Sequence, residues 1–210
     1  MPDIAATRIV IVAPDALLHE PSDDAAVLEV ARSRSLRIGL LEAGYNIVAV
    51  LPPDVFLPDR LAQLAPDMIV VDAESQARDT LEHVVMATRD ARRPIVMFTE
   101  DSDTSHVPAA IAAGVTAYVV AGLAPERVKP VLAVALARFQ HEEALRRELA
   151  EARTQLADRK TVDRAKGLLM QRHQIGEPEA YTRIRKAAMD KGLKMADIAQ
   201  RIVDAADLLM

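Results

Sequence analysis

The sequence predicts an α/β domain on a doubly wound five-stranded parallel sheet, followed by a long coiled-coil helix and a small all-α three-helix bundle. Three observations predict it. Over roughly the first 130 residues, short β-branched runs alternate with helix-period stretches, and the runs are continuously apolar, as strands covered on both faces must be. From Pro125 onward no Gly or Pro beyond Pro130 interrupts a helical pattern until Gly167. Thr161 to Met210 then holds three helix-period runs separated by two short turns. The domains are therefore read as 1–130, 131–160 and 161–210.

Taken in order, Arg8–Val12 is a buried strand. Asp24 to Leu41 is helical and closes at Gly44. Asn46–Leu51 is a strand ended by Pro52-Pro53, and Pro58 to Leu64 a short helix. Met68–Val71 is a strand ending on Asp72, Thr80–Thr88 a helix, and Pro94–Thr99 a strand. Val107–Ala113 is a helix stopped by Gly114, and Ala117–Val120 the last strand. Pro125 opens the next helix in its first turn, where the missing N–H costs nothing. In such sheets chemistry collects at the carboxyl ends of the strands. Those ends carry Ala13-Pro14-Asp15, Asp72, Thr99-Glu100 and Ala121-Gly122.

Along the connector, Leu145, Leu149, Ala152 and Leu156 fall at heptad spacing among charged residues. Leu132, Leu136 and Phe139 form an upstream stripe, out of phase by a stutter. A helix of some forty residues spans about 60 Å, and its use is either a two-stranded coiled coil, making a homodimer, or a single helix folded back on its own head. In the tail, Val162, Ala165, Leu168 and Leu169 end this helix near Gln174-Ile175-Gly176. Glu177-Pro178-Glu179 opens the second tail helix, with acids at its positive end. Its apolar face reads Ala180, Tyr181, Ile184, Ala187 and Ala188, and Lys191-Gly192 closes it. The third starts near Met195 and turns Ile198, Ala199, Ile202, Val203, Ala206 and Leu209 inward. Gly167 costs about 1 kcal/mol against Ala within a helix, and the expectation is that it permits close approach of another helix.

Composition narrows the function. No cysteine is present, which excludes disulfides, thiolate metal sites and cysteine nucleophiles. No run is long and apolar enough for a membrane span, and no basic-then-apolar leader is visible, so a cytoplasmic protein with no membrane partner is expected. His19, His83, His106, His141 and His173 are scattered without nucleophile–base or metal spacing, so no enzyme and no catalytic residues are expected. Charge is uneven: residues 1–134 carry 11 Lys/Arg against 19 Asp/Glu, whereas residues 162–194 carry 8 against 4. A locally basic tail on an acidic chain suits a polyanion, although two solvated domains of ordinary charge would read the same way. The candidate RNA contacts are Arg164, Lys166, Arg172, His173, Arg183, Arg185, Lys186, Lys191 and Lys194. Tyr181, the tail's single aromatic, is either core or a stacking platform for an unpaired base.

With Asp72 after the third strand, Thr99 after the fourth and Tyr118 in the fifth, residues 7–130 resemble the receiver domain of two-component response regulators, a flavodoxin-like fold. That resemblance implies Asp72 as phosphoacceptor and Thr99 as a phosphate contact. It further implies an acid pair after the first strand that holds Mg²⁺, and a lysine after the fifth that pairs with the phosphoryl group. This sequence departs from the pattern at both places. Ala121 stands where the lysine is expected, and Ala13-Pro14 where the acids are, leaving Asp15, Asp23 and Asp24 as candidate metal ligands. No cofactor is required on this reading, with Mg²⁺ relevant only if the head is phosphorylated. The alternative is a non-phosphorylated pseudo-receiver switched by a protein partner.

Arg164-Ala-Lys-Gly-Leu-Leu-Met170, Glu179-Ala-Tyr181, Arg185, Ala187-Ala-Met189 and Ile198-Ala-Gln-Arg-Ile202 resemble an ANTAR domain. That resemblance implies RNA binding and transcription antitermination. In order, receiver, coiled coil and ANTAR domain are similar to the nitrate-assimilation antiterminators of bacteria. This implies leader-mRNA hairpins as the target and a nitrate-sensor protein, or a histidine kinase, as the controlling partner. The competing reading is a DNA-binding response regulator with a helix-turn-helix output. Against it, the third tail helix offers Gln200 and Arg201 beside Asp197, Asp204 and Asp207, which would repel a groove.

Overall fold

The computed structural model describes residues 7–13, 24–72, 84–85, 88, 91–99, 104–120 and 125–208. The chain forms two compact units, residues 1–142 and 143–210. In the first, strands β1 (Arg8–Val12), β2 (Asn46–Leu51), β3 (Met68–Asp72), β4 (Ile95–Thr99) and β5 (Ala117–Val120) form one sheet, ordered β2-β1-β3-β4-β5. Every pairing in it is parallel. This is the order of receiver and flavodoxin folds, and its switch point lies between β1 and β3. Helices α1 (Asp24–Glu42), α2 (Leu57–Leu64) and α3 (Val107–Ala113) follow β1, β2 and β4. Helix α4 runs unbroken from Pro125 to His173, with Pro130 near its start. Of the helix expected over Thr80–Thr88, Val84, Val85 and Thr88 are helical and the remainder lies outside the described residues.

The period-two alternation of the strands sorts their side chains onto two layers. Ile9, Ile11, Met68, Val70, Val96 and Phe98 face one side, where Leu36 and Leu40 of α1 and Val128, Leu132 and Ala135 of α4 cover them. Val10, Val12, Ile69, Val71, Ile95 and Met97 face the other, against Leu57 and Leu61 of α2, Val84 and Ala110. Each fully buried Leu or Ile contributes about 1.5–3 kcal/mol. Helix α1 stops where the sequence says it should: Gly44 takes φ +86°, and the Gly44 and Tyr45 N–H groups donate back to Leu41 and Leu40 carbonyls.

In the second unit, the last turns of α4 pack with α5 (Glu177–Lys191) and α6 (Met195–Asp207). The buried set is Val162, Ala165, Ile184, Ala188, Ile198, Ala199 and Val203, all aliphatic. Two details differ from the sequence reading. Tyr181 is 42% exposed and lies outside that core, because Ala180, Ile184 and Ala188 already fill the inward stripe of α5. Gly167 faces open space, with nothing within 4 Å of where a Cβ would stand, so no helix among the described residues packs against it.

Candidate functional sites

The head's candidate site is built on the end of β3. Alternation puts Asp72 on the same face as Met68 and Val70, the face that α1 covers. On α1, Arg32 precedes Leu36 and Leu40 by one and two steps of four, so it shares their inward stripe. The two stripes meet: the Arg32 Nη2–H donates to Asp72 Oδ1 at 2.6 Å, and the side chains are 10% and 3% exposed. Parallel register sets Phe98 beside Asp72, and Thr99, also buried, stands one residue further along β4. At the neighbouring strand end Ala13 is buried and offers no ligand side chain.

A receiver's Mg²⁺ needs several oxygen ligands in near-octahedral array. Asp72 is a carboxylate already paired with a guanidinium, and among the described residues no three His, Cys, Asp or Glu side chains come together. The described donor set does not fit the ion. Asp15, Asp23 and the side chain of Asp24, together with Ala121, lie outside the described residues. Sequence reading missed Arg32. The signal was available: a cation on the buried stripe of the helix after β1 requires a carboxylate opposite it.

In the tail, the ten sequence-predicted contacts separate by what already holds them. Lys166 is mostly covered, and its Nζ lies 2.7 Å from both Asp163 Oδ1 and Glu177 Oε1. Its hydrogen bonds to Asp163 and then Glu177 raise the Lys166 pKa above the ordinary lysine value. The same hydrogen bond from Lys166 is the main cause that lowers the Asp163 pKa. Arg164 pairs with Asp207 at 2.8 Å and Arg183 with Glu179 at 2.6 Å. Arg172, His173, Arg185, Lys186, Lys191 and Lys194 are exposed and make no ion pair among the described residues.

Helix α5 presents two unlike flanks. At 100° per residue, Tyr181, Arg185 and Met189 fall in one row that begins at Glu177, with Thr182 beside it. Glu179, Arg183, Lys186 and Asp190 fall together on the other flank, where Arg183 is neutralised. Tyr181 and Met189 are 42% and 72% exposed, so an aromatic ring and a thioether flank an unpaired guanidinium. Between the end of α4 and α6 lies a cleft of about 670 Å³, floored by Leu168, Leu169, Ile202 and Ala206, with Arg172 and His173 also lining it. Along α4, Leu145, Leu149 and Leu156 are all more than half exposed.

The ANTAR domain model matches residues 150–203. The chain is 32% identical, over 184 residues, to the transcriptional regulatory protein PdtaR of Mycobacterium tuberculosis, which covers 87% of each chain. Among solved structures it is similar to the signal receiver domain of a modulated diguanylate cyclase from Desulfovibrio desulfuricans G20. The identity there is 19% and the TM-score 0.47, over 64% of this chain and 97% of that one. It is also similar to the REC domain of AraT, a response regulator from Geobacillus stearothermophilus, at 17% identity and a TM-score of 0.47, over 65% and 98%.

Proposed function

This chain belongs to the family of ANTAR-domain transcriptional regulators that carry a receiver-like head, and from that premise we propose that it is an RNA-binding transcription antiterminator. The observation that carries the reading is the exposed row of α5, within the matched segment, where Tyr181 and Met189 stand on either side of Arg185. Hairpin loops display splayed bases and phosphates. The bases stack on aromatic rings and guanidinium planes, and basic side chains take the phosphates. Arg172, His173, Lys191 and Lys194 extend the cationic surface. Arg164, Lys166 and Arg183 join it by exchanging a carboxylate for a phosphate, so they add less.

One small bundle makes few contacts. The exposed leucines of α4 support pairing of two copies through a coiled coil, and two bundles then meet two hairpins of one leader mRNA at high effective concentration. The target genes on this reading are those of nitrate and nitrite assimilation. The support is the order of the three segments together with the departures at Ala13-Pro14 and Ala121. A nitrate-sensor protein or a histidine kinase controls the head, with Asp72 the candidate phosphoryl acceptor and Thr99 the candidate phosphate contact in the second case. The work is done in the cytoplasm.

A filter-binding titration tests the function, using a two-hairpin leader RNA, its scrambled counterpart and duplex DNA. Tight, salt-sensitive binding to the first alone supports it. Equal weak binding to all three defeats it.

A further inference from the structure

We propose that Glu148 of one copy and Arg153 of a second form the ion pairs that set two α4 helices side by side, in parallel and in register. The inference rests on the reading that α4 pairs through its leucines, and it adds the direction and the residues that fix it. With Leu149 and Leu156 at position a of the heptad and Leu145 and Ala152 at d, Glu148 falls at g and Arg153 at e, one on each side of the seam. The three leucines are more than half exposed, and both charged residues are exposed beside them. Neither charge is answered within its own helix. The positions three and four residues away from each hold only Ala, Leu and one Glu. Neither residue makes an ion pair among the described residues. Arg146, by contrast, has Glu143 at 3.9 Å one turn away.

Direction follows from what each arrangement sets across the seam. In a parallel pair, position g of one helix meets the next position e of the other, so Glu148 meets Arg153 and the two-fold axis repeats the contact. In an antiparallel pair e meets e and g meets g. With the apolar layers matched, Arg153 would then face Arg146, and Glu148 would face Gln155. Register follows from where the stripe ends. A slip of one heptad would set Arg159 against Ala152 and Asp163 against Leu156, and only Leu145 and Leu149 would keep apolar partners. A second copy in the parallel, unslipped arrangement is the occupant that the charges complement. Both tail bundles then leave the stalk at one end, where a single transcript reaches them together.

The chain has no cysteine, so single cysteines in the full-length protein report the arrangement under mild oxidation. The links are read at high protein concentration without RNA, so the outcome does not depend on what the tail binds. Leu145→Cys alone is expected to link to its own copy, and a mixture of Leu145→Cys with Leu156→Cys to give no mixed product. Antiparallel pairing reverses this: the mixture links, and Leu145→Cys alone, roughly 16 Å from its copy along the axis, does not. Charge variants give a second readout. Glu148→Arg and Arg153→Glu are each expected to raise the dimer dissociation constant about tenfold, since each turns two attractions into repulsions. Mixing these two variants restores association, because each then meets its opposite charge on the other copy. A mixed Leu145–Leu156 product, or Arg153→Glu associating as well as the wild type, overturns the proposal and leaves pairing through α4 standing. Absence of any cross-link also overturns it, and the mass of the wild type at the same concentration tells whether pairing fails with it.

Discussion

Lys166 and Glu177 join α4 to α5: the lysine Nζ lies 2.7 Å from Glu177 Oε1 and at the same distance from Asp163 Oδ1. One ammonium therefore fastens the turn that separates the two helices. Its charge is engaged before any nucleic acid arrives.

That network has a pH signature. The folded-state pKa of Asp163 is depressed, first by the Lys166 hydrogen bond, so its contribution is present above the unfolded value of 3.8 and lost as pH falls through the folded one. The Lys166 pKa is raised, so its share is present below 10.5 and lost as pH climbs through the folded value. Asp163→Asn is expected to lower the unfolding midpoint slightly at neutral pH, with the difference from wild type vanishing on acidification below 3.8. Thermal melts over an acid series read this directly. A difference that persists in strong acid assigns the effect to something other than this pair.

Engaged and unengaged cations separate in salt titrations. Each phosphate contact on a single strand contributes about 0.7 to the slope of log affinity against log salt. Arg185→Ala with Lys186→Ala is expected to weaken leader-RNA binding and to flatten the slope by about 1.4. Arg164→Ala with Arg183→Ala, which removes charges already paired with Asp207 and Glu179, flattens it less. The reverse order moves the RNA contacts to Arg164 and Arg183.

Tyr181 separates stability from recognition because its ring is substantially exposed. Tyr181→Ala is expected to cost about 1–3 kcal/mol of RNA affinity, the range of a base stacked on an aromatic, with little change in the unfolding midpoint. Tyr181→Phe retains most of the affinity. A large fall in stability with RNA affinity unchanged in the folded fraction returns Tyr181 to the core.

Pairing through α4 is tested by Leu145→Glu with Leu149→Glu, two exposed heptad positions. Mass measurement in solution is expected to show a dimer for the wild type and a monomer for the variant. Affinity for a two-hairpin leader then falls at least about a hundredfold, while affinity for one hairpin is unchanged. A wild-type monomer in the presence of the two-hairpin RNA removes the coiled coil from the account.

The sheet was legible because its strands are continuous Val/Ile runs punctuated by Gly and Pro, which fixes element order without any knowledge of contacts. The ends of the described strands and helices of the head were legible to within a residue: Glu42 extends α1 by one, and β4 begins at Ile95 rather than Pro94, which has no N–H for the ladder. The tail's core was legible apart from Tyr181, since spacing alone gave that residue to the apolar face and did not weigh the three small or branched residues that fill that stripe first; Leu209 lies outside the described residues. What spacing could not supply was partnership. Lys166 reads as a solvent-facing cation in sequence, and only the turn after α4 brings Glu177 to it. Arg32 carried a signal in its place on the buried stripe of α1, but its partner Asp72, forty positions away, could not be read from spacing.

The cations of the tail bundle have a consequence for encounter. Arg172, Arg185, Lys186, Lys191 and Lys194 are exposed and make no ion pair among the described residues, so a polyanion that approaches the bundle is drawn in by charge before it touches the surface. On the proposed reading, capture of a transcript then precedes the reading of any base.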